Sequence, residues 1–214
     1  MSIILPAILA KNEKDFRAKA AAAATFANAV QIDILDGTLF DVSCWADPKI
    51  ITEASLPFRF DAHLMVAKPE AIALDWIAAG AKRIIVHREA PGNIGAALEH
   101  IRKYDREFGL AFNPETNLKE IEEFIPFLDY VLLLGVDPGG QGRTFHPDTI
   151  GRIRFLRETY PRLKIGVDGG VTDSAHLAHE LVVAGADELI VGSMLWQAQD
   201  PAAAYKSIVA DATV

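Results

Sequence analysis

The sequence predicts an α/β fold, a single (β/α)8 barrel that spans residues 1–214 as one domain. Three observations favour this fold: eight short apolar runs recur along the chain, helical patterns alternate with them, and no linker or change of composition interrupts the series. At 214 residues the chain is near the short end of the range for this fold, about 200 to 400 residues. A doubly wound open sheet is the competing architecture, because alternation alone does not show that the sheet closes.

The eight predicted strands are apolar or β-branched runs. In chain order they are IILPAIL from Ile3, AVQIDI from Ala29, FRFDAHLM from Phe58, RIIVH from Arg83, GLAF from Gly109, YVLLLG from Tyr130, KIGVD from Lys164 and ELIVG from Glu188. Helical patterns separate them, for example PEAIALDWIAAGA and IGAALEHIRKYDREF. Thr116 or Asn117 predicts a helix start before LKEIEEF, and Asp173 predicts one before SAHLAHEL. Gly80 and Gly185 predict helix ends.

Composition limits the classes of function. The chain is 50% hydrophobic and carries a net charge of -8, which argues against a nucleic-acid or anionic-membrane surface. The single cysteine, Cys44, excludes an internal disulfide and suits a reducing compartment. The first residues lack a basic region and a cleavage site, and no apolar stretch approaches the roughly 20 residues that span a bilayer. We expect a cytoplasmic protein, a homo-oligomer, with no nucleic-acid or membrane partner.

Polar residues interrupt the predicted strands near their carboxyl ends. In VQIDILDG, Asp33 lies among apolar residues, and burying a carboxylate without a partner is costly. Gln31 and Asp33 are two residues apart and therefore point to the same face. Active sites of (β/α)8 barrels gather at the carboxyl ends of the strands. If the shared face is the barrel interior, Asp33, His63 and Asp168 could converge from three strands.

Each of these residues also has a structural interpretation. An aspartate at a strand end is often a cap or turn former, and Asp36-Gly37 alone could be one. His87 ends the fourth strand and could be a hydrogen-bonded core histidine or a functional group, with neither favoured. Asp168-Gly169-Gly170 could be an ordinary turn. Together these residues favour a functional site, because independent turn formers need not all lie at the carboxyl-end rim of one barrel.

Glycine-rich stretches follow the last three predicted strands: VDPGGQGRTF, VDGGV and VGS. Glycine lets backbone N–H groups approach a ligand closely, and a phosphate in a (β/α)8 barrel typically binds around these last loops. Phosphate is therefore the leading anion. Arg143 could add positive charge there, or it could be a solvated surface residue.

These motifs resemble one family along essentially the whole chain. LPAIL, QIDILDG, DAHLM, VHREA, AFNPET, VDPGG, VDGGV and VGS are similar to segments of the ribulose-phosphate 3-epimerases. The resemblance implies a TIM barrel of the ribulose-phosphate-binding type that acts as an isomerase. It implies interconversion of D-ribulose 5-phosphate and D-xylulose 5-phosphate by inversion at C3, commonly with a divalent metal cation whose identity stays open here.

The resemblance also implies roles for individual residues. Asp33 and Asp168 match two carboxylates that act as general acid and base and contact the metal, and His63 matches a metal-binding histidine. Gln31 stands where the family usually has a metal-binding histidine, and its amide oxygen would suit harder cations better than zinc. The residues implied to bind phosphate are Gly139, Gly140, Gly142, Gly169, Gly170, Gly192 and Ser193. Substrate contacts are implied for Ala7, where the family usually has serine, and for Met65.

Other departures from the family pattern leave alternatives open. Leu35 and Leu134 replace two usual methionines, and Asp137 adds negative charge to the phosphate loop. One alternative is an enzyme that acts on another ketose phosphate, either an epimerase or an enediolate-forming aldolase or synthase, as hexulose-phosphate synthases are. Another is a barrel that binds a sugar phosphate without turning it over. Retention of both Asp33 and Asp168 favours an enzyme.

Overall fold

The eight predicted strands form a closed barrel in the computed structural model, which describes residues 3–139 and 143–213. The strands hydrogen-bond in chain order, and the last pairs with the first. They are β1 (Ile3–Ile8), β2 (Ala29–Leu35), β3 (Arg59–Met65), β4 (Arg83–His87), β5 (Glu107–Phe112), β6 (Tyr130–Leu134), β7 (Lys164–Asp168) and β8 (Glu188–Val191). The (β/α)8 prediction is confirmed, and closure excludes the doubly wound open sheet.

Helices connect most of the strands. They are α1 (Glu13–Ala23), α2 (Pro48–Glu53), α3 (Pro69–Ala78), α4 (Ile94–Lys103), α5 (Asp148–Thr159), α6 (Leu177–Ala184), α7 (Ser193–Gln197) and α8 (Pro201–Asp211). The last two both follow β8. Within the described residues, no helix has the length and apolar character needed to cross a membrane.

Packing divides the chain into two compact units, of which Ala7–Leu110 is one. In this unit β2 pairs in parallel with β3, and β3 pairs in parallel with β4. Every residue of β2 and of β4 is buried. Parallel strands that are covered on both faces usually consist of nearly continuous apolar residues. The polar residues inside β2 and β3 are therefore exceptions that need hydrogen-bonding partners.

The other unit comprises Met1–Pro6 and Ala111–Val214. Here β7 pairs in parallel with β6 on one side and with β8 on the other. The residues of β6 and β8 are all buried, whereas β7 ends at the partly exposed Asp168. A polar side chain at the end of a strand can therefore reach a ligand while the apolar residues before it stay in the core.

The segment between β5 and β6 differs from the prediction. Asn117 does cap a helical turn, since its side chain accepts a hydrogen bond from Lys119 N, but that turn and the next are 3-10 helices (Leu118–Ile121 and Ile125–Phe127). Pro126 lies in the second turn. Proline lacks an N–H donor and clashes with the carbonyl four residues earlier, which disfavours one continuous α-helix here.

The helix expected after Asp173 also begins differently. Ser174–His176 forms a 3-10 turn, and α6 starts only at Leu177. The Asp173 carboxylate accepts a hydrogen bond from Ser207 Oγ at 2.6 Å and makes no capping hydrogen bond to the helix. A tertiary contact has thus replaced the local cap that the sequence predicts.

Candidate active site

Strands β2 and β3 bring together three polar side chains. Asp33 and His63 are direct partners in the parallel register, and Gln31 lies two residues before Asp33. Gln31 and His63 are each 1% exposed, and Asp33 is 7% exposed. Because alternate residues of a strand share a face, these side chains lie together in a buried cluster. Such burial requires that they satisfy one another by hydrogen bonds.

Gln31 contacts both of the other two side chains. Its Nε2 donates to Asp33 Oδ1 at 2.8 Å and lies 3.2 Å from His63 Nδ1. His63 Nδ1 is itself 3.3 Å from the same carboxylate oxygen. An ionised carboxylate only accepts hydrogen bonds, so Asp33 holds the amide with its nitrogen, rather than its oxygen, toward the cluster. Gln31 meets Asp33 as a donor.

His87 extends this network behind His63. His63 Nε2 lies 2.9 Å from His87 Nε2, and His87 Nδ1 lies 3.1 Å from Glu89 Oε2. His87 is fully buried, and the ring of Phe40 packs edge-on against it with 5.1 Å between ring centroids. His87 is thus a hydrogen-bonded core histidine that contacts an expected metal ligand. The sequence motifs did not indicate a role for Glu89, whose one signal is its place two residues after a strand-end histidine.

The loop after β2 contains a turn and the cysteine. Asp36 Oδ1 accepts hydrogen bonds from Thr38 N at 2.9 Å and from Thr38 Oγ1 at 2.5 Å, so Asp36 is a turn former. Cys44 Sγ donates to the backbone oxygen of Asp33 at 3.2 Å and accepts from Leu35 N at 3.3 Å. Burial raises the pKa of the Cys44 thiol to about 11; the Leu35 N–H opposes this rise, and the Asp33 carboxylate adds to it. The thiol is therefore a structural donor at neutral pH.

Asp61 shares the β3 face pattern with His63 but has a different partner. Arg83 Nη1 lies 3.0 Å from Asp61 Oδ2, and Arg83 Nε lies 3.1 Å from Glu107 Oε2. Asp61 and Arg83 are both buried. The Asp61 carboxylate thus neutralises a buried guanidinium, which is a structural role.

Asp168 ends β7, where it is the register partner of Leu134 on β6. Asp33, His63 and Asp168 each offer a ligand atom, and these atoms lie within 4.8 Å of one another. The three residues expected to converge therefore do so. Two carboxylates and an imidazole form a group that could hold a divalent metal ion.

The glycines after β7 have a backbone that only glycine adopts readily. Gly169 and Gly170 have φ angles of +94° and +72°, in the left-handed region. A Cβ at Gly169 would lie 2.6 Å from Val136 Cγ2, and one at Gly170 would lie 3.0 Å from Phe145 Cβ. The two loops after β6 and β7 therefore pack closely, with little room for side chains between them.

The loop after β6 carries charged groups. His146 Nε2 lies 3.0 Å from Asp137 Oδ1, and Arg143 Nη2 donates to Gly139 O at 3.3 Å. All these contacts are exposed to solvent. Two of the glycines implied to bind phosphate, Gly140 and Gly142, lie outside the described residues.

The remaining candidate residues lie at the ends of other strands. Ala7 is the register partner of Gln31, and Met65 is the partner of Leu35. Both are buried. Gly192 and Ser193 follow β8 directly and are half-buried at the start of α7.

Comparison with known proteins identifies the family. The sequence profile of the ribulose-phosphate 3-epimerase family matches residues 3–196. The chain belongs to this family. It is accordingly an isomerase of the carbohydrate-epimerase type.

Individual members of the epimerase family are similar over most of their length. The ribulose-phosphate 3-epimerase of Chlamydia muridarum is 39% identical over 180 residues, which cover 80% of this chain and 77% of that protein. The enzyme of Aquifex aeolicus is 37% identical over 182 residues, covering 81% and 80% of the two chains. The enzyme of Escherichia coli K12 is 34% identical over 153 residues, covering 70% and 65%.

Solved structures show the same fold at much lower identity. The 3-hexulose-6-phosphate synthase of Salmonella typhimurium superposes with a TM-score of 0.75 over 98% of each chain, at 14% identity. KGPDC from Streptococcus mutans gives a TM-score of 0.74 over 99% of this chain and 97% of its own, also at 14% identity. At such identity these likenesses support the barrel fold alone.

Proposed function

We propose that this chain interconverts D-ribulose 5-phosphate and D-xylulose 5-phosphate by inverting the configuration at C3. The observation that carries the proposal is the group of Asp33, His63 and Asp168, whose ligand atoms lie within 4.8 Å of one another. Membership of the ribulose-phosphate 3-epimerase family supports the same substrate. Two carboxyl groups are what such an inversion requires.

Inversion at C3 needs a proton to leave one face of the carbon and another to arrive at the opposite face. In the proposed reaction one of Asp33 and Asp168 begins as a carboxylate and takes the C3 proton. The electrons of the C3–H bond then form the C2–C3 double bond of an enediolate, and negative charge moves to the C2 oxygen. The other aspartate begins as an acid and gives its proton to the far face of C3. The two aspartates end with exchanged protonation states, ready for the reverse reaction.

A divalent cation fits the donors of this group. Carboxylate oxygens and imidazole nitrogens are ligands for several divalent metals, and two carboxylates would offset the positive charge of the ion. Asp33, His63 and Asp168 would hold it, and when bound it would stabilise the enediolate oxygens as a Lewis acid. Gln31 could offer an oxygen only after its amide rotates, because its Nε2 now faces Asp33.

We further propose that backbone N–H groups of the loops after β6, β7 and β8 bind the substrate phosphate. The left-handed Gly169 and Gly170 support this, because such conformations turn backbone N–H groups toward a bound anion. The negative charge of Asp137 would repel a phosphate. However, His146 Nε2 lies 3.0 Å from the Asp137 carboxylate, so this carboxylate already has a polar partner. If unphosphorylated D-ribulose were turned over as efficiently as its 5-phosphate, this assignment would be wrong.

The test of the proposed reaction is an NMR assay in D2O. D-ribulose 5-phosphate is incubated with protein stripped of metal, and then with added Mn²⁺, Co²⁺ or Zn²⁺. We expect xylulose 5-phosphate to form with deuterium at C3, because the proton returned to the far face comes from a group that exchanges with solvent. Asp75→Asn, on the exposed face of α3, is a matched control for Asp33→Asn and Asp168→Asn. The proposal would be overturned if xylulose 5-phosphate did not form and no deuterium entered at C3 under any of the metal conditions.

A further inference from the structure

His87 and Glu89 lie behind His63 in a continuous line of close polar contacts. Glu89 Oε2 is 3.1 Å from His87 Nδ1, and His87 Nε2 is 2.9 Å from His63 Nε2. At the other edge of His63, Nδ1 is 3.2 Å from Gln31 Nε2. All four ring nitrogens are therefore engaged, and the groups at the two ends decide which nitrogens carry protons.

The two ends impose one arrangement on neutral rings. An ionised Glu89 can only accept, so His87 Nδ1 carries a proton and His87 Nε2 is bare. The Gln31 amide nitrogen can only donate, so His63 Nδ1 is bare and His63 Nε2 carries the proton. The His63 Nε2–H then donates to His87 Nε2. Every contact in the line from Glu89 to Gln31 is then satisfied without a charge on either ring. Asp33 Oδ1, which lies 3.3 Å from the bare His63 Nδ1, accepts its hydrogen bond from the second N–H of the Gln31 amide instead.

Burial favours the neutral arrangement. The side chains of His63 and His87 are 1% and 0% exposed, whereas that of Glu89 is 20% exposed. A charge is far less costly on the partly solvated carboxylate than on either enclosed imidazole. Phe40 packs edge-on against His87 and helps to keep water from it.

We infer that Glu89 and His87 are positioning residues that hold His63 with a bare Nδ1 directed toward Asp33. That nitrogen lies 3.3 Å from Asp33 Oδ1, on the side of the ring where a cation would bind. Partners of this kind fix the tautomer and the orientation of a metal-binding histidine. The inference rests on the proposed metal role of His63 and adds two residues to the site.

The first measurement is the tautomeric state of the histidines in metal-free protein. Long-range ¹H–¹⁵N correlation spectra distinguish a bare ring nitrogen from a protonated one, and the six histidines are assigned by single substitution. We expect His63 to carry its proton on Nε2 and His87 to carry its proton on Nδ1. A His63 ring whose single proton lies on Nδ1 would overturn the inference.

The second measurement is the Kd for Co²⁺, followed by its visible absorption. Glu89→Ala removes the acceptor, and Glu53→Ala, an exposed site on α2, is the control with the same change of charge. We expect Glu89→Ala to bind Co²⁺ about 10- to 100-fold more weakly than the control. His87→Leu should also weaken binding, whereas His87→Gln should retain more affinity, because its amide oxygen can accept from His63 Nε2–H.

Equal Kd values for Glu89→Ala and Glu53→Ala would overturn the inference, and circular dichroism shows whether each variant is folded. His63→Ala separates the two ways of failing. If His63→Ala loses Co²⁺ while Glu89→Ala does not, the positioning role is wrong and the metal site stands. If His63→Ala binds Co²⁺ as tightly as the unmodified protein, the metal role of His63 in the proposed function is itself wrong.

Discussion

Replacing Gln31 by histidine tests how this chain differs from the pattern of its family. Gln31 Nε2 now contacts Asp33 Oδ1 at 2.8 Å and His63 Nδ1 at 3.2 Å. These are two of the atoms that a cation would bind. A cation can therefore bind them only if the amide gives up both contacts, in a cluster where Gln31 is 1% exposed.

The cost of displacing the amide sets the expected effect. A hydrogen bond to a charged group contributes about 1.5–3 kcal/mol, and one between neutral groups contributes about 0.5–1.5 kcal/mol. Losing both costs about 2 to 4.5 kcal/mol, and each 1.4 kcal/mol corresponds to about tenfold in Kd. Gln31→His removes this competition and adds a nitrogen ligand. We therefore expect it to lower the Kd for Zn²⁺ by about 30- to 1,600-fold.

The assay is competition with a chromophoric chelator on protein dialysed free of metal. Gln31→Leu is the control, because it removes the amide donor without supplying a ligand, and its Kd should lie between those of the other two forms. Elemental analysis of the purified unmodified protein gives an independent check. Stoichiometric zinc that survives dialysis against a chelator, or equal Kd values in all three forms, would refute the reasoning.

Three further predictions use other parts of the structure. Asp168→Asn should lower kcat by about 100- to 10,000-fold while circular dichroism shows an intact fold, and activity equal to that of Asp75→Asn would contradict the acid–base role. Gly192→Val should raise KM for D-ribulose 5-phosphate more than it lowers kcat, because its side chain would obstruct the proposed phosphate loop; a fall in kcat alone would count against it. Because the pKa of Cys44 is raised from 9.0 to about 11, its thiolate fraction at pH 9 is about 50-fold below that of an ordinary thiol. Iodoacetamide should therefore label the folded protein far more slowly than the urea-unfolded protein, and equal rates would contradict the raised pKa. The thiol form is the one stabilised by folding, so this contribution is complete below pH 9 and is lost as pH rises through about 11.

The sequence by itself determined the series of strands and most of the helices. Apolar runs such as RIIVH and YVLLL can be buried on both faces only inside a covered parallel sheet, and these runs became β4 and β6. The motifs around Asp33, His63 and Asp168 could also be recognised from the sequence, because a carboxylate or imidazole inside an apolar strand differs clearly from its neighbours. Local signals were weaker, as Asn117 and Asp173 show, since both predict the start of an α-helix. Two 3-10 turns follow Asn117, with Pro126 in the second, and Asp173 accepts a hydrogen bond from Ser207 instead of capping a helix.

Only the tertiary structure decided which polar groups meet. Asp61 and His63 follow the same alternation on β3, but Asp61 pairs with Arg83 whereas His63 faces Asp33. The role of Gln31 as a donor, rather than an oxygen ligand, depends on a distance of 2.8 Å to a carboxylate. Hydrogen bonds depend on the distance and direction between groups that lie far apart in the chain, and a pattern along one strand carries neither.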